Sequence, residues 1–468
     1  MATKIDSSGY AYKGWGVGNT SGVWSYNGSL YYVTGRHETE EIVYVQVWVY
    51  NGSTWTGYTG PAIGDTGAST AYAYSSIAAD VLGGTMWIAY QGKTSGGIPL
   101  PYIVRFDMDA LTFGTPITSY NDTPPHGAYN AFHSEDGITF TADVPSWNFI
   151  YATGTTSFTL FTHGTLGGFL HLNIARSEYE AGVWVSQSVV GRNSLTLSDM
   201  MVANLRDGMN RHIWFVSPAG VLYHQQIGGA VNTVATDVKV ITGTDDIGHV
   251  NLTGVAIGKP WFTGFDIYLP YKSSSNTMKL AKYVSSTWST ETVDSSKVPY
   301  SHLFTSTPGS QVESDCGNIA AAYVLSGVPE VLFWDNANNL NQADGSPAAT
   351  TQTLWRSRYV SGAWAAPTAA VASAAWQRDI DVVVVGTTAH VIFQRFDAST
   401  WLTPWHEQIT APGGTGTITV PSIAATSVFG SFSGIRGGVP SGEGCGSGPG
   451  LPSSAGTIYP GCSTYTAL

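Results

Sequence analysis

Five times along the chain an aromatic residue is followed, five positions later, by a tryptophan, with a turn between them. The copies are "YNGSTW" (Tyr50 to Trp55), "YEAGVW" (Tyr179 to Trp184), "YVSSTW" (Tyr283 to Trp288), "YVSGAW" (Tyr359 to Trp364) and "FDASTW" (Phe396 to Trp401). A looser copy, "FDMDALTF", carries Phe106 and Phe113. Asn-Gly, Ala-Gly and Ser-Gly between extended pieces is hairpin chemistry. A chain that repeats a hairpin repeats a sheet, so the fold must accommodate many copies of one unit.

Upstream of the hairpins stands a second pattern: a strand of small and apolar residues, a tight turn, then an apolar or aromatic strand. "SGVWSYNGSLYYVTGR" shows it before Tyr50, "SSIAADVLGGTMWIAYQG" before Phe106 and "GHVNLTGVAIGKPWFTGFDIYLPYK" before Tyr283. "DCGNIAAAYVLSGVPEVLFWDN" shows it before Tyr359, and "RDIDVVVVGTTAHVIFQRF" is a compact version before Trp401. Each unit therefore holds about four strands joined by turns, the signature of a propeller blade. The gap from Trp184 to Trp288 is about twice too long, and Met200 to Thr233 fills it with both strand pairs but without the hairpin tryptophan. Counting that copy gives seven units of very roughly 40 to 70 residues. The expectation is an all-β, seven-bladed β-propeller of four-stranded antiparallel blades, with almost no helix.

A four-stranded sheet cannot bury both faces alone, so Trp55, Phe113, Trp184, Trp288, Trp364 and Trp401 read as aromatics packed between blades. Use of one or two of them as platforms for sugar rings stays open. The organisation expected is an N-terminal arm over 1–14, the propeller over 15–430 and a Gly/Pro/Ser-rich C-terminal extension over 431–468, too poor in apolar residues for its own core. "VPSIAATSVFG" (420–430) looks like a further first strand that would join the N-terminal blade and fasten the ring.

Only 11% of the 468 residues are charged, against about 25% in ordinary globular proteins. The surface is therefore Ser, Thr, Asn, Gly and Tyr, which suits extracellular or particle-borne proteins and contact with sugars. A formal charge of −12 without a basic cluster argues against nucleic acid. No apolar run approaches about 18 residues, so no membrane insertion is expected. The start, "MATKIDSSGYAYKGWG", has no apolar signal-peptide core, so either a signal was cut away and a Met added or export takes another route, host lysis by a virus being one. Of three cysteines, Cys316 reads as a small buried residue, whereas Cys445 and Cys462 either close a loop or stay unpaired.

Strong catalytic motifs are absent. "DMDA" and "DNANNLNQADG" offer oxygen ligands without EF-hand spacing, so neither metal nor cofactor is expected. Because charge is scarce, clusters of it stand out: Arg36, His37 and Glu38 in "GRHETEE", His126 and Tyr129 in "NDTPPHGAYN", and His249 in "TGTDDIGHVN". In a propeller the connections that enter first strands share one face around the central channel, which would bring His126, Tyr129 and His249 together. With Tyr271 these are the candidate glycan-binding residues; the alternative is that they are solvated loop residues. A histidine beside an arginine or tyrosine can also do acid/base work on a sugar acid.

The repeat over roughly 15–430 resembles the sialidase/BNR-type propellers and, in its hairpins, the fucose-lectin-like propellers. "HSEDGITF" (His133 to Phe140) is similar to the sialidase Asp-box at Ser134, Asp136, Gly137 and Thr139, with Phe140 for tryptophan and one residue missing between Asp and Gly. That box is a structural turn in the family, so the resemblance implies architecture and not catalysis. The arginines and Tyr/Glu pair of sialidases match no motif here. "PHGAYNAF" resembles blade entries of BNR-type polysaccharide lyases, which implies a place near a groove for His126. The expected function is a non-catalytic propeller on an extracellular particle, a bacteriophage virion or tail, with a structural or host-glycan-binding role. Its partners would be a surface glycan and, through the C-terminal extension, other virion proteins. The alternative is a secreted polysaccharide lyase or glycosidase.

Overall fold

The computed structural model describes residues 2–6, 22–37, 43–63, 77–93, 99–118, 147–166, 171–190, 200–207, 210–216, 221–226, 231–235, 258, 261–262, 266–273, 275–299, 320–335, 352–372, 377–397 and 401–411. Among them no residue is helical, and the strands form seven antiparallel sheets.

The chain starts with a short strand, β1 (Thr3–Lys4). Sheet one is β2 (Val23–Tyr26), β3 (Ser29–His37), β4 (Val43–Tyr50) and β5 (Trp55–Ile63). Sheet two is β6 (Ile77–Leu82), β7 (Thr85–Lys93), β8 (Pro99–Asp107) and an outer strand in two pieces, β9 (Thr112–Phe113) and β10 (Ile117–Thr118). Sheet three is β11 (Trp147–Gly154), β12 (Ser157–Leu166), β13 (His171–Glu180) and β14 (Val183–Val190). Sheet four is β15 (Met200–Asp207), β16 (Asn210–Val216), β17 (Leu222–Gln226) and β18 (Val231–Ala235). Sheet five is β19 (Trp261–Phe262), β20 (Ile267–Lys272), β21 (Met278–Val284) and β22 (Thr287–Asp294). Sheet six is β23 (Ala320–Leu325), β24 (Val328–Trp334), β25 (Thr353–Val360) and another split outer strand, β26 (Ala363–Trp364) and β27 (Thr368–Ala372). Sheet seven is β28 (Gln377–Val385), β29 (Thr388–Asp397) and β30 (Trp401–Thr410), completed by β1.

The sheets are simple meanders, save that the last takes β1 from the other end of the chain, and neighbours touch: β3 meets β6, β11 meets β6 and β7, β18 meets β22, β20 meets β23, β23 meets β28, and β28 meets β2. Sheets three and four are joined by the Tyr151 hydroxyl, which donates to the carbonyl of His212 at 2.9 Å. The contacts thus run in a closed cycle, an all-β architecture of propeller type.

Sequence explains the details. Inner strands are largely covered by neighbouring sheets, so they run apolar without alternation, as in "AAAYVL" of β23. The outer strand β22, "TWSTETVD", is largely exposed over its first half and carries the polar residues. The outer strands of sheets two and six break at Pro116 and Pro367, which have no N–H for the ladder. Gly258 donates to the Pro270 carbonyl at 2.8 Å, and a Cβ there would run into the Ala320 backbone of sheet six.

The core is a chain of clusters between sheets. Val33, Val45 and Val47 meet Ile88, Val104 and Phe106 between sheets one and two. Ile103 and Ala89 meet Ile150 and Phe158 between two and three, and Ile5, Leu30 and Trp48 meet Ile392 between seven and one. Fully buried Trp334 of sheet six packs edge-on against Phe393 of sheet seven, with ring centroids 5.5 Å apart.

Two sequence expectations need correction, at the last hairpin and at the entry to sheet three. Tyr50/Trp55, Tyr179/Trp184, Tyr283/Trp288, Tyr359/Trp364 and Phe106/Phe113 face each other across the hairpin of third and fourth strands. Phe396 and Trp401 do not: Trp401 faces Asp397 and Phe396 faces Leu402, in the hairpin of second and third strands. The outer strand of that sheet comes instead from the N-terminus, where Thr3 and Lys4 face His406 and Trp405. The fastening strand expected over 420–430 lies outside the described residues. Among the described residues, the first strand of sheet three is Trp147–Gly154, downstream of "PHGAYNAF".

Candidate functional site

Because the sheets are meanders, their connections alternate between two ends. At one end sit tight turns. Asn27-Gly28, Gly83-Gly84, Ala181-Gly182, Ser285-Ser286, Ser326-Gly327 and Ser361-Gly362 each place both residues at positive φ, the turn that matches strand twist. At the other end the chain spends far longer stretches: 38–42, 64–76, 119–146, 191–199, 236–260, 295–319 and 335–352.

The turn end is stapled by side chains that cross four of the seams. Tyr26 Oη and Asn27 Nδ2 donate to Asp109 at 3.0 and 3.1 Å, and Trp87 Nε1 donates to the Gly154 carbonyl at 3.0 Å. Trp364 Nε1 donates to Glu291 at 2.9 Å, and Gln408 Nε2 to Tyr50 Oη at 3.2 Å. Within sheet six Glu330, its side chain fully buried, accepts two bonds from Arg356 and one from Arg358, all 2.6 to 2.8 Å. "DMDA" belongs to this end as well: Asp107 accepts from the N–H groups of Asp109 and Ala110, which closes a turn. These backbone bonds pull the Asp107 carboxyl below its usual range.

The candidate glycan-binding residues divide differently. Arg36 lies at the long-connection end of β3, its Nε 4.0 Å from buried Asp6. His37 is the last residue of that strand and faces Val43 in register. Tyr271 sits near the same end of β20 but is fully buried, so its ring offers no surface to a sugar in this structure, a correction to its expected role. Glu38, His126, Tyr129 and His249 lie outside the described residues, as do the Asp-box-like stretch at His133 to Phe140 and the three cysteines. The strands flanking 38–42, 119–146 and 236–257 all end on the long-connection side.

The best-defined surface at that end lies between sheets five and six. Trp355, part-buried on β25, donates its indole N–H to Asp335 Oδ2 at 2.7 Å, while Asp335 Oδ1 accepts from the Thr353 N–H at 2.9 Å. Lys297 lies over the indole, its Nζ 4.2 Å from the ring centre. It is held there because Asp294 accepts from the N–H groups of Ser296 and Lys297, turning the chain out of β22. The carboxylate group of "DNANNLNQADG" nearest the strand is thus committed to structure. An indole capped on one face by a cation and held at its N–H by a buried carboxylate presents an aromatic and a donor together, the pairing that suits hydroxyl-rich ligands. Both Asp335 oxygens already hold donors, so the group is built to orient rather than to shuttle protons. Sequence reading passed over Trp355 because "TLWRSRY" looks like any half-buried strand; the usable signal was a tryptophan at a strand start rather than at a hairpin.

No protein-family model matches the chain, and no curated protein matches it. Solved structures are similar at the level of whole-chain superposition. A polysaccharide lyase, Uly1, is 10% identical with a TM-score of 0.45, over 84% of this chain and 90% of its own. The sialidase of Trypanosoma rangeli is 12% identical with a TM-score of 0.41, over 86% of this chain, which spans only 57% of the sialidase. The six-bladed fucose lectin of Aleuria aurantia is 12% identical with a TM-score of 0.39, over 75% of this chain and 95% of the lectin. Likenesses this low carry nothing about activity, and the fold rests on the sheets and contacts described above.

Proposed function

We propose that the chain is a seven-bladed propeller, its ring closed by the N-terminal strand Thr3–Lys4 and running to about 430 with a tether over 431–468, that binds a glycan at its long-connection end without altering it. The observation that carries this reading is the Trp355 rim, where an aromatic, a lysine and a carboxylate are held in place by hydrogen bonds at the end rich in long connections. The sparse charge of the whole chain supports it, since neutral polar surfaces suit sugar hydroxyls. We assign the protein to an extracellular particle, such as a phage virion, on that same composition. Arg36, His37, Glu38, His126, Tyr129 and His249 complete the proposed glycan-facing set.

The test is calorimetric titration with surface polysaccharides, followed by chromatography of the polysaccharide after incubation. Binding without shortening, weakened about tenfold by Trp355→Ala, supports the reading; a factor of ten is about 1.4 kcal/mol. Shortened or unsaturated products would replace it with the lyase or glycosidase. Co-sedimentation with particles from the source would support the virion assignment, and migration as a free chain would remove it.

A further inference from the structure

Two of the seven seams carry the same uncommon device. In sheet four, His212 on β16 and His224 on β17 lie diagonally across the ladder, with His212 Nδ1 and His224 Nε2 2.8 Å apart and rings stacked at 5.1 Å. In sheet seven, His390 on β29 and His406 on β30 repeat the arrangement at 3.0 and 5.2 Å, with the same 16° between ring planes. The register is identical: the partner of the third-strand histidine stands two residues after the second-strand histidine, Trp214 in one case and Ile392 in the other.

Each pair is the floor on which the next sheet's hairpin aromatics rest. His224 contacts Tyr283 and Trp288 of sheet five at 5.4 and 5.2 Å. His406 contacts Tyr50 and Trp55 of sheet one at 5.0 and 5.4 Å, and Trp55 Nε1 donates to His406 Nδ1 at 3.4 Å. His212, His224 and His406 are buried and His390 is half-buried. Other groups against the first pair are Trp214 and, from sheet three, Tyr151, whose hydroxyl meets the His212 carbonyl. Leu205 on β15 and Asn232 on β18 stand opposite in register. Against the second pair lie Tyr50 and, in register, Gln408 and Thr3; Glu407 and Lys4 alternate to the opposite face. Among the described residues, the titratable groups in ring contact with the pairs are thus tyrosines.

In a neutral pair one ring N–H donates to the lone pair of the other ring. A first added proton puts a charge between apolar rings, and a second sets N–H against N–H. The other seams are closed by aromatic and aliphatic contacts, carboxylates or backbone carbonyls. The two histidine seams separate sheets one to four from sheets five to seven. The connections that cross them, 7–22 and 236–260, are long enough for the blocks to part without straining the chain.

We propose that the two histidine pairs are acid-sensitive seams along which the ring divides into a four-sheet and a three-sheet block. Burial, and then the neighbouring histidine, push His224 down to about 3 and His406 to about 4, so these two rings are neutral at ordinary pH. The experiment is hydrogen exchange of the full chain between pH 7 and pH 3.5, corrected for the intrinsic pH dependence of exchange, with His224→Phe/His406→Phe alongside. Protection is expected to fall first in β4–β5, β16–β17, β21–β22 and β29–β30 while β7–β8 and β24–β25 stay protected. The double variant is expected to move that loss down by about one pH unit or more. Simultaneous loss in all sheets of the wild type, or loss beginning in sheets two and six, would overturn the proposal without any need of the variant. An unchanged midpoint in a folded double variant would do the same.

Discussion

The two ends of the sheets solve opposite problems with the same strands. At the turn end, two-residue turns at positive φ bring each strand straight back, and the side chains beside them reach across the seams: Tyr26 and Asn27 to Asp109, Trp364 to Glu291, Gln408 to Tyr50. At the other end, hydrogen bonds are spent on launching the chain outward, as Asp294 does for Ser296 and Lys297. One end closes the ring and the other presents sequence. Stability and binding should therefore respond to different substitutions.

The sharpest way to break this contrast is Glu330→Ala, which leaves Arg356 and Arg358 without their buried carboxylate. Removing one partner of such a set costs about 3 to 5 kcal/mol, and glycan affinity of the remaining folded protein should not change. A denaturation midpoint close to wild type would show that the turn end does not carry the ring.

Acid comes next. Histidines depressed on folding take up protons first in the unfolded state, so their contribution is complete above about pH 6.5 and falls as pH drops through 4 toward 3. The slope approaches about 1.4 kcal/mol per pH unit for each such histidine. Urea midpoints that stay flat from pH 6.5 to pH 4.5 would contradict that assignment.

At the long-connection end, Lys297→Ala should lower stability by about 1 kcal/mol, the worth of a part-exposed cation over an aromatic ring. It should nevertheless alter glycan affinity in the titration. A large fall in melting temperature would make Lys297 a structural staple and erase the contrast. Smallest is Ser286→Gly. Ser285 and Ser286 sit at φ 49° and 63°, where a side chain costs about 1 to 2 kcal/mol. Glycine should recover part of that in thermal unfolding and leave binding untouched.

How much of this was legible beforehand follows the same division. The hairpins were readable because Tyr50/Trp55 and Tyr359/Trp364 must lie across a turn and their spacing is local. The copy without its tryptophan, Met200 to Thr233, also lies in a sheet, β15 to β18, because two hairpins in succession specify a meander even when one packing residue differs. The Phe396/Trp401 copy was misaligned because local spacing does not reveal which hairpin of a sheet it is; that depends on Thr3 and Lys4 arriving from the opposite end of the chain. The histidine pairs escaped for the same reason. His212 and His224 are twelve residues apart, and only the register makes them neighbours. Tyr271 was misread because "FDIYLPY" alternates like a half-exposed strand, whereas β20 lies between neighbouring sheets and buries every residue but Tyr268.

The most direct test of the division between ends is hydroxyl-radical footprinting of the full chain with and without the bound polysaccharide. Protection should appear at Trp355, Lys297 and the segments that leave the long-connection end, while Val183, Val284 and Val360 beside the tight turns stay as reactive as in the free protein. Protection of those valines with Trp355 unchanged would place the ligand at the wrong end and contradict the account.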